Sequence, residues 1–129
     1  MTTGPTAPKQ GATDEDAAYR VGSFEEFWPY YVRMHSRPET QHVHAVATAS
    51  AIALVGLAVV RRSPMLALLA PLADHAIAQF GHRVFERNAT RPWRHPSWHA
   101  RAELRMFRLV LSGRMAAETA RCEATGAAG

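Results

Sequence analysis

The feature that most constrains the fold is a pair of apolar runs separated by a short basic turn. From Ala45 to Val60 sixteen consecutive residues carry no charge, Arg61-Arg62-Ser63-Pro64 interrupts them, and a second run continues to Ala73. Extended back to Val43, the first run holds about eighteen residues, at the lower limit of the roughly 17 to 25 that a bilayer-spanning helix needs. Ser63 can cap a second helix and Pro64 can open it. Asp74 and His75 interrupt its apolar surface, which resumes through Phe80, and the helix is expected to last to about Asn88. A soluble bundle with both helices wholly buried is the competing arrangement. Against it, a chain of 129 residues has little protein with which to surround two all-apolar helices. The expectation is an all-α fold: a small helical membrane protein with a central antiparallel hydrophobic helical hairpin, flanked by amphipathic helices.

The flanks carry local signals. Ser23-Phe24-Glu25-Glu26 is a capping box, in which Ser23 and Glu26 each satisfy an orphan backbone donor. It predicts a helix to about Met34, with Phe24, Phe27, Trp28 and Tyr31 on one face and Pro29 tolerated near its start. After His35-Ser36-Arg37-Pro38 a helix can restart near Glu39 or Thr40. Thr90 to Pro96 reads as a loop, and Ser97 can cap a helix that ends at Ser112-Gly113. Residues 1–22 are expected to form a disordered tail without a secretory signal, 23–114 the helical membrane domain, and 115–129 a short helical or frayed tail. The single Cys122 cannot form an internal disulfide, so a reducing compartment fits.

Nine of the fifteen basic residues lie between Arg83 and Arg121, and the net charge is +4, which implies an anionic partner. Arg33, Arg37, Arg83, Arg87, Arg91 and Arg94 flank the termini of the two apolar runs and outnumber the two arginines of the turn. By the positive-inside rule both termini then lie in the cytoplasm, with the arginine-rich third facing anionic headgroups. A nucleic-acid surface built from Arg91, Arg94, Arg101, Arg105 and Arg108 with Trp93 and Trp98 lacks a recognisable binding motif, so no nucleic-acid partner is expected.

Folding the runs back on each other brings the start of the first beside the end of the second. His35, His44 and His82 can then converge at one end. His75, Gln79, His82 and Glu86, spaced i, i+4, i+7 and i+11, form a polar stripe that must face protein or a cavity. Imidazoles with a carboxylate can hold a divalent metal and leave positions open for substrate and oxygen. The same histidines can also simply hydrogen-bond one another, backbone carbonyls or headgroups, and spacing alone does not separate the two readings. His42, His95 and His99 are expected at the surface. Asp74, ionisable within an apolar segment, is a secondary candidate at the mouth of a cavity.

Several segments resemble a known family. They are Phe24-Glu25-Glu26-Phe27-Trp28-Pro29-Tyr30-Tyr31, His35-Ser36-Arg37-Pro38 with His44 and Thr48, Gly81-His82 with Phe85-Glu86-Arg87-Asn88, and Arg105-Met106-Phe107 with Ser112-Gly113-Arg114. Together they are similar to a family of small membrane proteins that includes the endoplasmic-reticulum 2-hydroxy fatty acid dioxygenases of phytosphingosine breakdown, which use ferrous iron to shorten a 2-hydroxy acid by one carbon. The resemblance runs from Phe24 to Arg114. It implies that His35, His44 and His82 hold Fe(2+), and Gln79 before Gly81-His82 resembles the enzyme branch in particular. The chain departs from the family pattern with Ala47 in place of a glycine before Thr48, with Thr90-Arg91-Pro92, and with Ala102-Glu103-Leu104 before Arg105, changes that keep the spacing and the acid.

On this resemblance the expected activity is iron-dependent oxidative shortening of a 2-hydroxy acyl chain, with a fatty acyl substrate, molecular oxygen and membrane lipids as partners. His35, His44 and His82 would be the ligands, with His75 a further metal candidate. Glu86 would orient a histidine through its other nitrogen, Gln79 would belong to the site, and Arg37 or Arg83 would pair with the substrate carboxylate. The alternative is a non-enzymatic integral membrane protein whose hairpin anchors an arginine-rich cytoplasmic module.

Overall fold

The capping box at Ser23 forms as the sequence predicts and starts a helix at Phe24. In the computed structural model, which describes residues 15–88 and 90–127, the Ser23 hydroxyl accepts from the Glu26 amide at 3.2 Å, while the Glu26 carboxylate reaches back to the Gly22 amide at 3.3 Å. Helix α1, Phe24–Arg33, buries Phe24, Phe27, Trp28, Tyr31 and Val32 on one face. Of the expected disordered N-terminal tail, residues 1–14 lie outside the described residues, as does the extreme C-terminus expected to fray. The tail's last part is ordered: residues 15–18 are helical, Ala18 is buried in the core, and Glu15 is buried and paired with Arg91 at 2.9 Å.

Helix α2, Pro38–Arg61, opens on a proline at its first position, where a missing N–H costs nothing. It closes with Arg62 in the left-handed region, φ 50°, and the Ser63 amide bonds back to the Ala58 carbonyl at 2.9 Å, a Schellman arrangement in which arginine stands where glycine is usual. Ser63 then caps helix α3, Pro64–Gly81, accepting from the Leu66 amide at 3.3 Å. The far end of α3 returns to the beginning of α2. A Cβ at Gly81 would lie 3.0 Å from Val43 Cγ1, so any larger residue here makes Val43 give by a few tenths of an ångström.

The second apolar helix was expected to continue to about Asn88, but regular α-helix stops at Gly81. A π-helical turn, His82–Glu86, follows, and Arg87 at φ 55° ends it, with the Asn88 amide bonded to the His82 carbonyl at 3.1 Å. The wider turn begins at His82, whose own amide still bonds to the Ala78 carbonyl, so His82 keeps its place beside His75 and Gln79 along one cavity while the residues after it leave the i, i+4, i+7 register. His82 and Glu86 therefore face different neighbours instead of sharing one stripe.

A short 3-10 turn, Pro92–Arg94, leads into α4, Pro96–Leu111, and then α5, Met115–Ala127. Gly113 at φ 72° ends α4 as expected. The larger core cluster lies where α1, α4 and α5 meet, formed by Phe27, Trp28, Tyr31, Val32, Ala102, Met106, Met115 and Cys122. The segment after Arg114, expected to be a short helical or frayed tail, thus supplies two of the buried side chains, Met115 and Cys122.

All the described regular structure is helical. One helix, α2, is long and apolar enough to cross a membrane by length and composition, and only 22 % of its most apolar stretch is buried. Ile52, Val55, Val59 and Val60 on α2, and Met65, Leu68 and Leu72 on α3, are exposed. The two apolar helices are therefore not wholly enclosed by the rest of the chain, which a soluble bundle would require.

Candidate metal centre

Three histidines from three segments meet where the ends of α2 and α3 adjoin. His35 comes from the link between α1 and α2, His44 from the second turn of α2 and His82 from the start of the π turn. Each is at most 5 % exposed. Ring centroids are separated by 4.4 Å for His35 and His44, 4.5 Å for His35 and His82, and 5.0 Å for His44 and His82. One ring nitrogen from each lies within 4.8 Å of those of the other two.

The hydrogen bonds fix which nitrogens are available. His35 Nδ1 donates to the Tyr31 carbonyl at 2.6 Å, and its ring stacks on Tyr31 at 4.1 Å. His82 Nδ1 donates to Asn88 Oδ1 at 2.8 Å, and Asn88 Nδ2 donates to the Met34 carbonyl at 3.2 Å, which sets the orientation of the amide. Both rings therefore keep an unprotonated Nε2. His44 Nε2 lies 3.2 Å from His82 Nε2. Two nitrogens on one ion sit roughly 3 Å apart when each metal–nitrogen bond is about 2.1 Å, so this spacing suits a shared metal.

His44 Nδ1 is buried and has no hydrogen-bond partner among the described residues, with Glu103 Oε1 at 3.9 Å. Glu103 is itself placed by the Thr48 hydroxyl, which donates to Oε1 at 3.2 Å. A ligating histidine ordinarily gives its second N–H to such a carboxylate. Burial, followed by the neighbouring His44 and His82, holds His35 well below the usual imidazole range. Burial and then His44 bring His82 down to about 4, against the opposing hydrogen bond to Asn88. Neutral imidazoles with inward lone pairs form a donor set that a divalent metal could occupy.

The remaining sequence candidates are distributed around this cluster. His75 lines the same cavity but lies outside the triad, its ring 6.4 Å from Trp93. Gln79 also lines the cavity, and its amide donates to the Thr90 carbonyl at 3.4 Å, holding the loop that follows the π turn. Glu86 makes no recorded bond to a histidine. It accepts from the Ser36 hydroxyl at 3.1 Å and the Arg37 amide at 2.6 Å, tying the π turn to the entry of α2. Arg37 is exposed and pairs with Glu39 at 3.6 Å, Arg83 is exposed, and neither lines the cavity.

Two participants escaped the sequence reading. Asn88 orients His82, and Glu103 faces His44; each belongs to a motif noted in the sequence, but nothing in its spacing points to its partner. Removing the Asn88 amide is expected to weaken metal affinity by about 10–100-fold in Asn88→Ala, as loss of an outer hydrogen-bond partner does. A competition titration with a metal chelator measures this, and unchanged affinity would show that His82 needs no such support.

His99, expected at the surface, is buried beside the cluster and lies 2.6 Å from Tyr19 Oη, which in turn donates to the Arg91 carbonyl at 3.0 Å. Burial, then the nearby His82 and His95, lowers His99 to about 4. The unfolded chain thus binds this proton more readily, so the stability due to the neutral ring is present above about pH 6.5 and is lost as pH falls toward 4. The loss should approach about 3 kcal/mol, and His99→Phe should remove that share of the acid sensitivity in unfolding measurements made across this range.

No curated protein and no solved structure matches the chain. A family model does match, over residues 21–115, which include all three histidines, Asn88 and Glu103. On that match the chain belongs to the Mpo1-like family, described as 2-hydroxy-palmitic acid dioxygenase Mpo1-like.

Proposed function

We propose that this chain is a membrane-embedded, ferrous-iron dioxygenase that shortens a 2-hydroxy fatty acid by one carbon, with the iron held by His35, His44 and His82. The observation that carries this reading is the convergence of three buried imidazoles, two of them tautomerically fixed with Nε2 inward, in a member of a family described by that chemistry. Ferrous iron, when bound, supplies coordination of the hydroxy acid and activation of dioxygen.

The chain supplies everything else. The Tyr31 carbonyl and Asn88 hold two rings in a ligating orientation, and Glu103 stands ready to take the free N–H of His44. Gln79 and Glu86 act as positioning residues, through the Thr90 loop and the Ser36-Arg37 backbone respectively. His75 forms cavity wall. Arg37 and Arg83, both exposed, lie beside the cluster in sequence and draw an anionic substrate toward it from solution. The exposed apolar sides of α2 and α3 favour a hairpin seated in the bilayer, with both termini in the cytoplasm and His35, His44 and His82 close to the headgroup level.

The test is anaerobic purification from the membrane fraction, followed by metal analysis and oxygen uptake with 2-hydroxyhexadecanoate. The expected result is stoichiometric iron, and uptake that yields the acid shortened by one carbon. A chain that recovers in membranes with neither metal nor uptake would instead be an anchor for its arginine-rich module.

A further inference from the structure

A second cavity adjoins the histidine site. It is a groove of about 380 Å³ between α2, α3 and α4, walled by Ala51, Ile52, Val55, Ala70 and Leu104. Its size falls within the range of small-molecule pockets, roughly 300–1,000 Å³. The small cavity of about 50 Å³ that contains the three histidines shares two residues with it, Asp74 and Glu103. The apolar groove therefore meets the histidine cavity at an acidic neck of Asp74 and Glu103.

The neck holds an unmet demand. Glu103 already accepts from Thr48 and shares a hydrogen bond with the Asp74 carboxyl, while Asp74 Oδ1 is buried and, among the described residues, no amide or hydroxyl donates to it. A buried acceptor without a donor is costly, and a ligand that brings an O–H to that position relieves the cost. Among acyl compounds, a fatty acid hydroxylated beside its carboxyl group carries an O–H at the place where chain meets head. A bilayer phospholipid carries an ester there and has a head far larger than the histidine cavity.

Resting on the dioxygenase reading, we infer that the groove of Ala51, Ile52, Val55, Ala70 and Leu104 is the acyl-chain site, and that Asp74 at its neck selects the 2-hydroxyl group. The small side chains Ala51 and Ala70 leave the room that the chain fills. A larger side chain at either position shortens the chain that can be accommodated, and Asp74 separates hydroxylated from plain acids of equal length.

The experiment displaces the fluorescent fatty acid cis-parinaric acid from the metal-loaded, detergent-solubilised full chain, using 2-hydroxyhexadecanoate, hexadecanoate and 2-hydroxyoctanoate as competitors. In Ala51→Trp, affinity for 2-hydroxyhexadecanoate should fall about tenfold or more while that for 2-hydroxyoctanoate holds. Asp74→Ala should bring 2-hydroxyhexadecanoate and hexadecanoate to equal affinity, and Asp74→Asn, which keeps an acceptor oxygen, should restore the preference. Ala70→Leu provides a second groove variant should Ala51→Trp lose its metal. Long-chain binding at wild-type strength in a metal-replete groove variant overturns the chain site, as does displacement of the probe by phosphatidylcholine in place of free acid. An equal preference in wild type and Asp74→Ala overturns the role of Asp74. If wild type shows these binding patterns but no oxygen uptake, the groove stands and the dioxygenase reading falls.

Discussion

Replacing His82 with alanine is expected to remove bound iron and turnover together. His82 is 1 % exposed, its Nε2 faces that of His44 at 3.2 Å, and no other imidazole shares its position at the π turn. Loss of a direct ligand should exceed the 10–100-fold effect typical of an outer partner, so turnover should fall by more than about a hundredfold. Iron content by elemental analysis and oxygen uptake are read on the same preparation, with circular dichroism to establish that the helices persist. Full iron occupancy in His82→Ala would sink the proposed ligand set. The Asn88→Ala comparison adds a graded control, because it should weaken the site without deleting a ligand.

The largest effect on stability is expected far from the metal, at Trp28. Its ring is 1 % exposed, its Nε1 donates to Glu118 Oε1 at 2.7 Å, Tyr31 stacks beside it at 5.8 Å and the Arg105 guanidinium lies 4.4 Å above it. Glu118 is also gripped by Arg121 at 2.6 Å, and that contact together with the Trp28 N–H lowers its carboxyl to about 2. Truncation leaves a large void at the junction of α1, α4 and α5, and Trp28→Ala should cost about 3–5 kcal/mol. Trp28→Phe keeps most of the packing and should cost about 1–3 kcal/mol, for the loss of one hydrogen bond to a charged carboxylate that Arg121 still holds. Denaturant titration in detergent measures both, and a loss below about 1 kcal/mol for the alanine variant would show that this junction does not hold the fold together.

The prominence of Trp28 follows from where the core lies. In most small domains the longest apolar helices are the best buried, whereas here Val59, Val60 and Leu68 are exposed and the interdigitated aromatics belong to the amphipathic helices. The long apolar helices thus carry the exposed apolar surface, while the arginine-flanked amphipathic helices pack against one another. Several of those arginines are spent internally, Arg91 on Glu15 at 2.9 Å and Arg105 on Glu25 at 3.4 Å. The basic third is thus partly neutralised within the chain before any anionic partner is met.

What the sequence by itself determined is what depends on neighbours along the chain. Ser23 with Glu26, Ser63 before Pro64 and Gly113 after Leu111 mark helix ends through bonds spanning three to five residues, and all three ends are where the spacing puts them. The helical class and the long apolar element were legible for the same reason, since period and length are one-dimensional. Only the tertiary structure shows the π turn after Gly81, which lies against Val43 of the neighbouring helix and whose following Asn88 reaches the Met34 carbonyl, 54 residues away. It likewise decided the burial of His99 under Tyr19, 80 residues away, and the placing of Glu103 by Thr48, 55 residues away. A histidine reveals its chemistry type in the sequence, but its tautomer, its charge and its partner are set by groups that only folding brings within hydrogen-bond reach.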